Sequence, residues 1–225
     1  MEDFGICIQA RMSSTRLPGK VLKNFCGKPM LQFQVELLKS YKLCNSIVVL
    51  TSHNPADDLL EKFCIDNNIE LLRGSEENVF KRYQYAAEKK GFEHIVRITG
   101  DNPLTHYHLL DSCMKVHLEK QPDLTSTRKI LPDRSIQRFA PKGNSVDIIK
   151  SATLLEIDSN LLDDFEKEHV IPVFYNGMYR VEYEKQFTNI EKSISVDTID
   201  DYNKLIEYAE NNPELSNLKS GYYRR

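Results

Sequence analysis

The sequence predicts an α/β fold built on a central, mostly parallel sheet with helices on both faces. Four short apolar runs rich in Ile, Val or Leu have the length of buried strands: Phe4–Ala10, Ser46–Thr51, Ile69–Leu72 and His94–Thr99. Between them, apolar residues recur at helical spacing in three sets: Leu31, Val35 and Leu38; Leu59, Leu60, Phe63 and Cys64; and Val79, Tyr83 and Ala86. Strands that alternate with helices are typical of parallel sheets with crossover connections.

Local signals place the helix ends and extend the pattern along the chain. Pro29 suits the first turn of its helix, and Ser75 suits an N-cap because two glutamates follow it. After about residue 122, strands are expected at Asp123–Thr127, Val146–Ile149, Met178–Tyr183 and Ser193–Val196, and helices at Ala152–Ser159, around Glu166–Tyr175 and at Asp200–Glu210. Ligands of such sheets bind beyond the carboxyl ends of the strands, so candidate site residues are sought there.

Length and composition limit the organisation of the chain and its partners. The 225 residues, without repeat or Gly/Ser linker, predict one domain over residues 1–220, with 125–150 as a possible acceptor or dimer insertion and 221–225 as a frayed tail. The net charge of -3 disfavours nucleic acid as a partner. We expect neither a membrane helix nor a signal peptide. The five cysteines are scattered and odd in number, which predicts reduced thiols and a cytoplasmic protein.

A cationic loop follows the first predicted strand. It contains a Pro-Gly turn, three cations and three hydroxyl side chains. The cations are Arg11, Arg16 and Lys20, and the hydroxyl side chains are those of Ser13, Ser14 and Thr15. Cations neutralise a polyphosphate, while hydroxyls and backbone N–H groups donate to its oxygens. The order of residues fits neither a Walker A motif nor a dinucleotide fingerprint. On composition alone, a solvated basic surface loop is an equal alternative.

Two acidic residues are predicted at the same edge of the sheet as this loop. Asp101 comes directly after His94–Thr99, and Asp197 comes directly after Ser193–Val196. Mg2+ needs hard oxygen ligands, usually one or two carboxylates with phosphate oxygens and water. The pair is therefore a candidate metal site. Each acid also has a structural interpretation, because Asp101 can turn the chain and Asp197 can cap the last helix.

The cationic loop forms part of a longer motif. The run A-R-M-S-S-T-R-L-P-G-K at 10–20, followed by G-K-P-M at 27–30, resembles the opening of the CMP-sugar synthetases. These are the cytidylyltransferases for 3-deoxy-manno-octulosonate and acylneuraminate, together with the similar SpsF-type spore-coat polysaccharide enzymes. Among them, the SpsF-type enzymes look most similar to this sequence. Further segments that resemble this family are 72–79, 97–104, 168–172 and 195–201.

This resemblance implies a fold, an activity and a set of site residues. The fold is the Rossmann-like nucleotide-diphospho-sugar transferase type, commonly found as a homodimer. The activity is Mg2+-dependent transfer of CMP from CTP to an acidic sugar or related surface-glycan precursor, with release of pyrophosphate. By similarity, Arg11, Lys20 and Asp101 are catalytic, and Asp101 and Asp197 bind the metal. The expected nucleotide-binding residues are Ala10, Arg11, Ser13, Ser14, Thr15, Arg16, Lys20 and Arg73.

Weaker signals concern the acceptor and one further arginine. By resemblance His169 contacts the acceptor, and it is equally a partly buried helix histidine. Arg134 and Arg138 belong to a basic stretch that we expect to meet an acidic group of the acceptor, to pack across a dimer, or to lie in solvent. Arg73 contacts the nucleotide or, with equal weight, forms a surface ion pair.

Other functions fit parts of the pattern. A GT-A-like glycosyltransferase usually holds its donor and metal with a D-x-D pair, and Gly100-Asp101-Asn102 is not one. A catalytically silent nucleotide-binding regulator is expected to have lost a loop cation or a carboxylate, and all of them are present. A nucleotidyltransferase with a phosphate or phosphonate acceptor stays open, because Ser145 and Asp147 depart from the SpsF-type pattern.

Overall fold

The computed structural model describes residues 3–44, 46–185 and 194–216, so the predicted tail at 221–225 lies outside the described residues. The strands are β1 (Phe4–Gln9), β2 (Asn24–Phe25), β3 (Lys28–Pro29), β4 (Ser46–Ser52), β5 (Glu70–Gly74), β6 (His94–Thr99), β7 (Leu124–Ser126), β8 (Arg128–Ile130), β9 (Ile136–Arg138), β10 (Asp147–Lys150) and β11 (Val181–Tyr183). Seven of them form one sheet in the order β11-β7-β10-β6-β1-β4-β5. Only β10 runs antiparallel to its neighbours in this sheet. The predicted mostly parallel sheet is confirmed.

Helices cover both faces of the sheet. They are α1 (Met30–Tyr41), α2 (Asp58–Asp66), α3 (Val79–Lys90), α4 (Tyr107–Lys120), α5 (Ser151–Glu156), α6 (Asp164–His169) and α7 (Ile199–Glu210). Successive side chains of a strand point to opposite faces. Ile6 and Ile8 therefore pack into one apolar cluster with residues of α1, α2, α4 and α7, whereas Cys7 packs into the other with residues of α3 and α5. In the described part of the chain, no helix has the length and apolar character to cross a membrane.

Three predicted elements differ from the structure. The described part of the strand expected at Ser193–Val196 belongs to no strand of the sheet. The helix expected around Glu166–Tyr175 is interrupted at Val170, whose φ of 69° separates α6 from a short 3-10 helix. Leu59 was expected on the buried face of α2 but is 65% exposed, because the buried stripe of that helix is centred on Leu60 and Cys64, which are four residues apart.

Two helix starts also differ by a few residues. Ser75 was predicted as an N-cap, but α3 begins at Val79 and its N-cap is Asn78. The Asn78 side chain accepts from the Lys81 N–H at 2.9 Å, while Ser75 Oγ accepts from the Asn78 N–H at 3.1 Å. Ser75 therefore shapes the turn before the cap. Pro29 is the N-cap of α1 and precedes its first turn.

The carboxyl ends of β1, β4, β5 and β6 lie together at one edge of the sheet because these strands are parallel. β10 runs in the opposite direction, so its first residue, Asp147, lies at the same edge. It pairs with Arg97 of β6 and with Ser126 of β7. This edge therefore collects residues from the ends of several strands and from the loops that follow them.

Candidate active site

The loop after β1 is fixed by backbone hydrogen bonds and by one buried carboxylate. The Met12 carbonyl accepts from the N–H groups of Ser14 and Gly19, both at 2.9 Å. The Met12 N–H donates to Asp57 Oδ1 at 2.7 Å, and Asp57 is fully buried. Gly19 has a φ of 66°, which favours glycine, and it precedes the 3-10 helix that carries Lys20. The loop cations therefore extend from a defined backbone.

Lys20 lies between the two acids that are predicted to bind a metal. Its Nζ is 3.2 Å from Asp197 Oδ1 and 3.5 Å from Asp101 Oδ2. Arg16 lies 3.1 Å from the same Asp197 oxygen, and Lys142 lies 3.2 Å from the other. Burial alone would raise the pKa of Asp197, but these three cations hold its pKa below the ordinary value. Its carboxylate is therefore ionised at neutral pH.

The backbone brings the two acids together. The Val196 N–H donates to the Asp101 carbonyl at 2.8 Å, so the segment before Asp197 is bonded to the turn after β6. Thr99 Oγ1 donates to Asp101 Oδ1 at 2.5 Å and orients that carboxylate. Asp197 does not cap α7, because the N-cap is Thr198. The predicted convergence is present, although Asp197 follows an irregular segment instead of a strand.

Gly100 allows the end of β6 to approach the loop after β1. A Cβ at this position would lie 3.1 Å from Ala10 Cβ and 3.3 Å from the Gln9 carbonyl oxygen, which is closer than most side chains allow. The Gly100 N–H donates to that same carbonyl at 2.8 Å. Ala10 is buried at this contact and packs the loop against β6, outside the cavity lining, so its nucleotide contact stays a prediction.

A cavity of about 290 Å³ opens between these elements. It is lined by residues from the ends of β1 and β6, from the cationic loop, from α6 and from the segment before α7: Gln9, Arg11, Ser14, Thr15, Arg16, Lys20, Val21, Thr99, Gly100, Asp101, Glu168, His169 and Asp197. Two larger cavities, of about 600 and 590 Å³, hold none of the predicted nucleotide or metal residues. The smaller cavity is therefore the one that collects the predicted nucleotide and metal residues.

Glu168 and His169 form the wall contributed by α6. Arg11 forms an ion pair with Glu168 at 3.3 Å, and both side chains are partly exposed. The His169 ring lies 4.5 Å from the Phe165 ring. Burial, and then the positive charge of Arg97, lower the pKa of His169, so the imidazole is neutral at pH 7. This wall thus offers one carboxylate and one neutral imidazole.

The two aspartates fit a Mg2+ ion. Both contact the Lys20 ammonium, which shows that their negative charge converges on a single position. Among residues 3–44, 46–185 and 194–216, no set of three or more His, Cys, Asp or Glu side chains could hold a metal. Mg2+ is commonly held by one or two carboxylates that substrate phosphates and water complete. Asp101 and Asp197 provide that donor set.

The structure does not bring every predicted residue into the cavity. Ser13 is exposed and lies outside the lining. Arg73 is also outside it: its Nε donates to the Ser52 carbonyl at 2.8 Å, and its guanidinium forms ion pairs with Asp58 at 2.8 Å and Glu61 at 2.7 Å. These contacts match the ion-pair alternative and place the side chain between β5 and α2, so its nucleotide contact stays a prediction.

The two arginines predicted for the acceptor lie on the β8–β9 side of the molecule. Arg134 pairs with Asp163 at 2.7 Å and lies over the Phe165 ring, in a different cavity from the aspartates. Arg138 lies on the exposed strand β9, opposite Arg128. Partial desolvation and the charge of Arg128 lower the pKa of Arg138. Neither arginine lines the cavity that contains Asp101.

Several contacts of the site carry no local signal in the sequence. Glu168 and Lys142 are separated from their partners by 157 and 55 positions, so no local spacing predicts their ion pairs. Gln9 and Thr99 end β1 and β6, and their place at the carboxyl ends of parallel strands was the one available signal. Asp57 was missed because an acid at a helix start usually indicates a cap.

Comparison with known proteins agrees with this geometry. A family model described as Cytidylyltransferase matches residues 6–219. The chain is 31% identical over 229 residues to the spore coat polysaccharide biosynthesis protein SpsF of Bacillus subtilis (strain 168), which covers 96% of this chain and 91% of that protein.

Two solved structures share the fold. A cytidylyltransferase from Leptospira borgpetersenii serovar Hardjo-bovis (strain JB197) has a TM-score of 0.80 at 29% identity, over 96% of this chain and 97% of that one. CMP:2-keto-3-deoxy-manno-octonic acid synthetase complexed with CTP has a TM-score of 0.73 at 15% identity, over 94% and 100%. The predicted nucleotide-sugar transferase fold is confirmed. With a family model that spans most of its length and with SpsF as a relative, the chain belongs to the cytidylyltransferase family.

Proposed function

We propose that this protein transfers CMP from CTP to a hydroxyl of an acidic, sugar-like acceptor in a Mg2+-dependent reaction that releases pyrophosphate. One observation carries the proposal: the cations of the loop after β1 and the carboxylates Asp101 and Asp197 meet in one cavity. Such an arrangement matches a nucleoside triphosphate together with a divalent cation.

The loop residues bind and orient the triphosphate. Arg11, Arg16 and Lys20 neutralise its charge, while Ser14 and Thr15 supply donors from the same wall of the cavity. Phosphoryl-type transfer needs little covalent chemistry from the protein, because positioning and charge stabilisation supply most of the rate enhancement. The acceptor hydroxyl oxygen attacks the α-phosphorus in line, its proton passes to solvent, and the bond from the α-phosphorus to the bridging oxygen of the leaving pyrophosphate breaks. The same cations stabilise the charge that develops on the pyrophosphate.

Asp101 and Asp197 would hold Mg2+. A metal at that position supplies Lewis acidity toward the α-phosphate and a fixed positive charge. Thr99 orients Asp101 through its hydroxyl, and Lys142 pairs with the outer oxygen of Asp197. Lys20 contacts both carboxylates, so its ammonium lies within reach of a phosphate oxygen bound beside them.

The names of similar proteins support an acidic, sugar-like acceptor. SpsF is named for spore coat polysaccharide biosynthesis, and the structure with the same fold is a synthetase of CMP:2-keto-3-deoxy-manno-octonic acid. A homodimer and a cytoplasmic location are part of this proposal on the same family grounds. The glycosyltransferase alternative is disfavoured because the family model describes nucleotidyl transfer.

A pyrophosphate-release screen tests the proposal. Each of the four nucleoside triphosphates is combined with Mg2+ and with a panel of keto-deoxy sugar acids, sugar phosphates and phosphonates. We expect release with CTP, with Mg2+ and with a sugar acid. Release with UTP or GTP but not with CTP would contradict the proposal that CTP is the nucleotide substrate. Release only with a phosphonate or sugar phosphate would identify the alternative acceptor class.

A further inference from the structure

Gln9 is the last residue of β1 and lines the cavity, but the binding of the triphosphate and the metal gives it no role. The Arg97 guanidinium donates to Gln9 Oε1 at 3.2 Å. A guanidinium has donors and no acceptor. The carbonyl oxygen of the Gln9 amide must therefore face Arg97, and its NH2 group must face away from it.

Buried charges fix this orientation. The Arg97 side chain is 6% exposed and is paired with the fully buried Asp147 at 3.0 Å. Asp147 Oδ1 accepts from Ser126 Oγ at 2.7 Å, so the carboxylate cannot turn freely. Arg97 thus has one arrangement, in which one nitrogen meets Asp147 and another meets Gln9.

The same group of residues has more positive than negative charge. Arg128 also pairs with Asp147, at 2.6 Å, on the oxygen that Arg97 contacts. Two guanidinium groups therefore share one carboxylate oxygen, and Arg138 lies opposite Arg128 in the β8–β9 hairpin. An amide whose oxygen accepts from a guanidinium is polarised, and its N–H groups become stronger donors. Within the described part of the chain, no acceptor is recorded for the Gln9 NH2 group.

We propose that Gln9 is a specificity-determining residue, whose NH2 group, oriented by Arg97, binds a carboxylate oxygen of the acceptor. This inference rests on the proposed function. Gln9 is held by Arg97 of β6, whereas Arg16 and Lys20 are paired with the acids that would hold the metal, Asp101 and Asp197. The group of the acceptor that this amide fits is thus a carboxylate.

Binding can be measured without turnover by calorimetry. Protein loaded with Mg2+ and a non-hydrolysable CTP analogue is titrated with 3-deoxy-manno-octulosonate and with its neutral C1 carboxamide. We expect the wild-type protein to bind the acid at least about tenfold more tightly than the amide, which is the range of one hydrogen bond to a charged group. Gln9→Glu keeps an oxygen for Arg97 but replaces the NH2 group, and should weaken binding of the acid by about tenfold or more.

Two controls separate this role from a structural one. Gln9→Leu removes the amide without adding charge and should reduce the preference for the acid over the amide to about twofold or less. Asn67→Asp adds the same charge at an exposed position after α2 and should change neither affinity. Each variant must bind the CTP analogue within about twofold of wild type.

Three results would overturn the inference: equal binding of acid and amide by the wild-type protein, unchanged binding of the acid by Gln9→Glu, or weaker binding of the CTP analogue by both Gln9 variants. Failure of the wild-type protein to bind the CTP analogue at all would contradict the proposed function itself. The two failures are therefore distinguishable.

Discussion

At the scale of single residues, charge balance determines how the site can bind its ligands. The cavity lining has three cations and three carboxylates, arranged as ion pairs of Arg11 with Glu168, Arg16 with Asp197, and Lys20 with Asp101 and Asp197. A triphosphate that binds alone would bring its charge close to the two aspartates. We therefore expect nucleotide and metal to bind together, with the cations moving to phosphate oxygens and the carboxylates to the metal.

Lys20→Met tests the role of the ammonium between the aspartates. Loss of one charge-stabilising donor should lower kcat by at least about a hundredfold. Steady-state pyrophosphate release measures this, with Lys62→Met as a control because Lys62 pairs with Asp66 on the exposed surface of α2. A near-normal kcat in Lys20→Met, with an unchanged melting temperature, would contradict a catalytic role for Lys20.

At the scale of elements, the site depends on contacts that join separate segments. Asp57, just before α2, accepts from the Met12 N–H of the cationic loop and from the N–H and hydroxyl of Ser52. The Val196 N–H reaches the turn after β6. Because these bonds are not part of the backbone ladder of the sheet, the positions of the loop and of Asp197 can be perturbed while the sheet stays intact.

Asp57→Asn should loosen the loop without removing any group that touches substrate. The amide keeps one acceptor but adds donors beside the Met12 and Ser52 N–H groups. The melting temperature should fall by several degrees, for a loss of about 1–3 kcal/mol in unfolding free energy. We expect a higher KM for CTP with a smaller change in kcat. A large loss of kcat at unchanged KM would contradict a positioning role.

The same residue predicts a pH dependence. Burial raises the pKa of Asp57, but hydrogen bonds from Met12 and Ser52 outweigh burial and hold its pKa below the ordinary value. Its ionised form therefore stabilises the fold above about pH 4, and this contribution is lost as the pH falls toward the lower folded-state pKa. The difference in melting temperature between wild type and Asp57→Asn should shrink from about pH 7 to about pH 3. A constant difference would refute this assignment.

Arg73 gives a prediction at the junction of β5 and α2. Its guanidinium contacts Asp58, Glu61 and two carbonyl groups. Because the two acids are partly exposed, Arg73→Met should cost on the order of 1 kcal/mol, which lowers the melting temperature by about 2–4 °C. The KM for CTP should stay within about twofold. A KM for CTP that rises tenfold or more in Arg73→Met would instead support the nucleotide contact expected from the sequence.

At the scale of the whole molecule, the sequence predicted what depends on periodicity and on strand ends. The sheet, the helices on its two faces and the meeting of the β1 loop with Asp101 follow from alternation and from parallel strands. Pairings between distant segments were not predictable in this way. Arg11 with Glu168 and Lys142 with Asp197 depend on how irregular segments return to the sheet edge, which no local pattern encodes. Arg73 shows the converse, since an arginine at a strand end pairs with acids of the neighbouring helix α2 instead of lining the cavity.

Calorimetric titration of the non-hydrolysable CTP analogue tests the central claim most directly. The convergence of loop cations with Asp101 and Asp197 predicts that the wild-type protein binds the analogue tightly with Mg2+ and at least about tenfold more weakly with a chelator. In the Asp101→Asn, Asp197→Asn double variant, binding should no longer depend on Mg2+. Equal affinity with and without Mg2+ in the wild-type protein, or Mg2+-dependent binding that survives in the double variant, would contradict the claim.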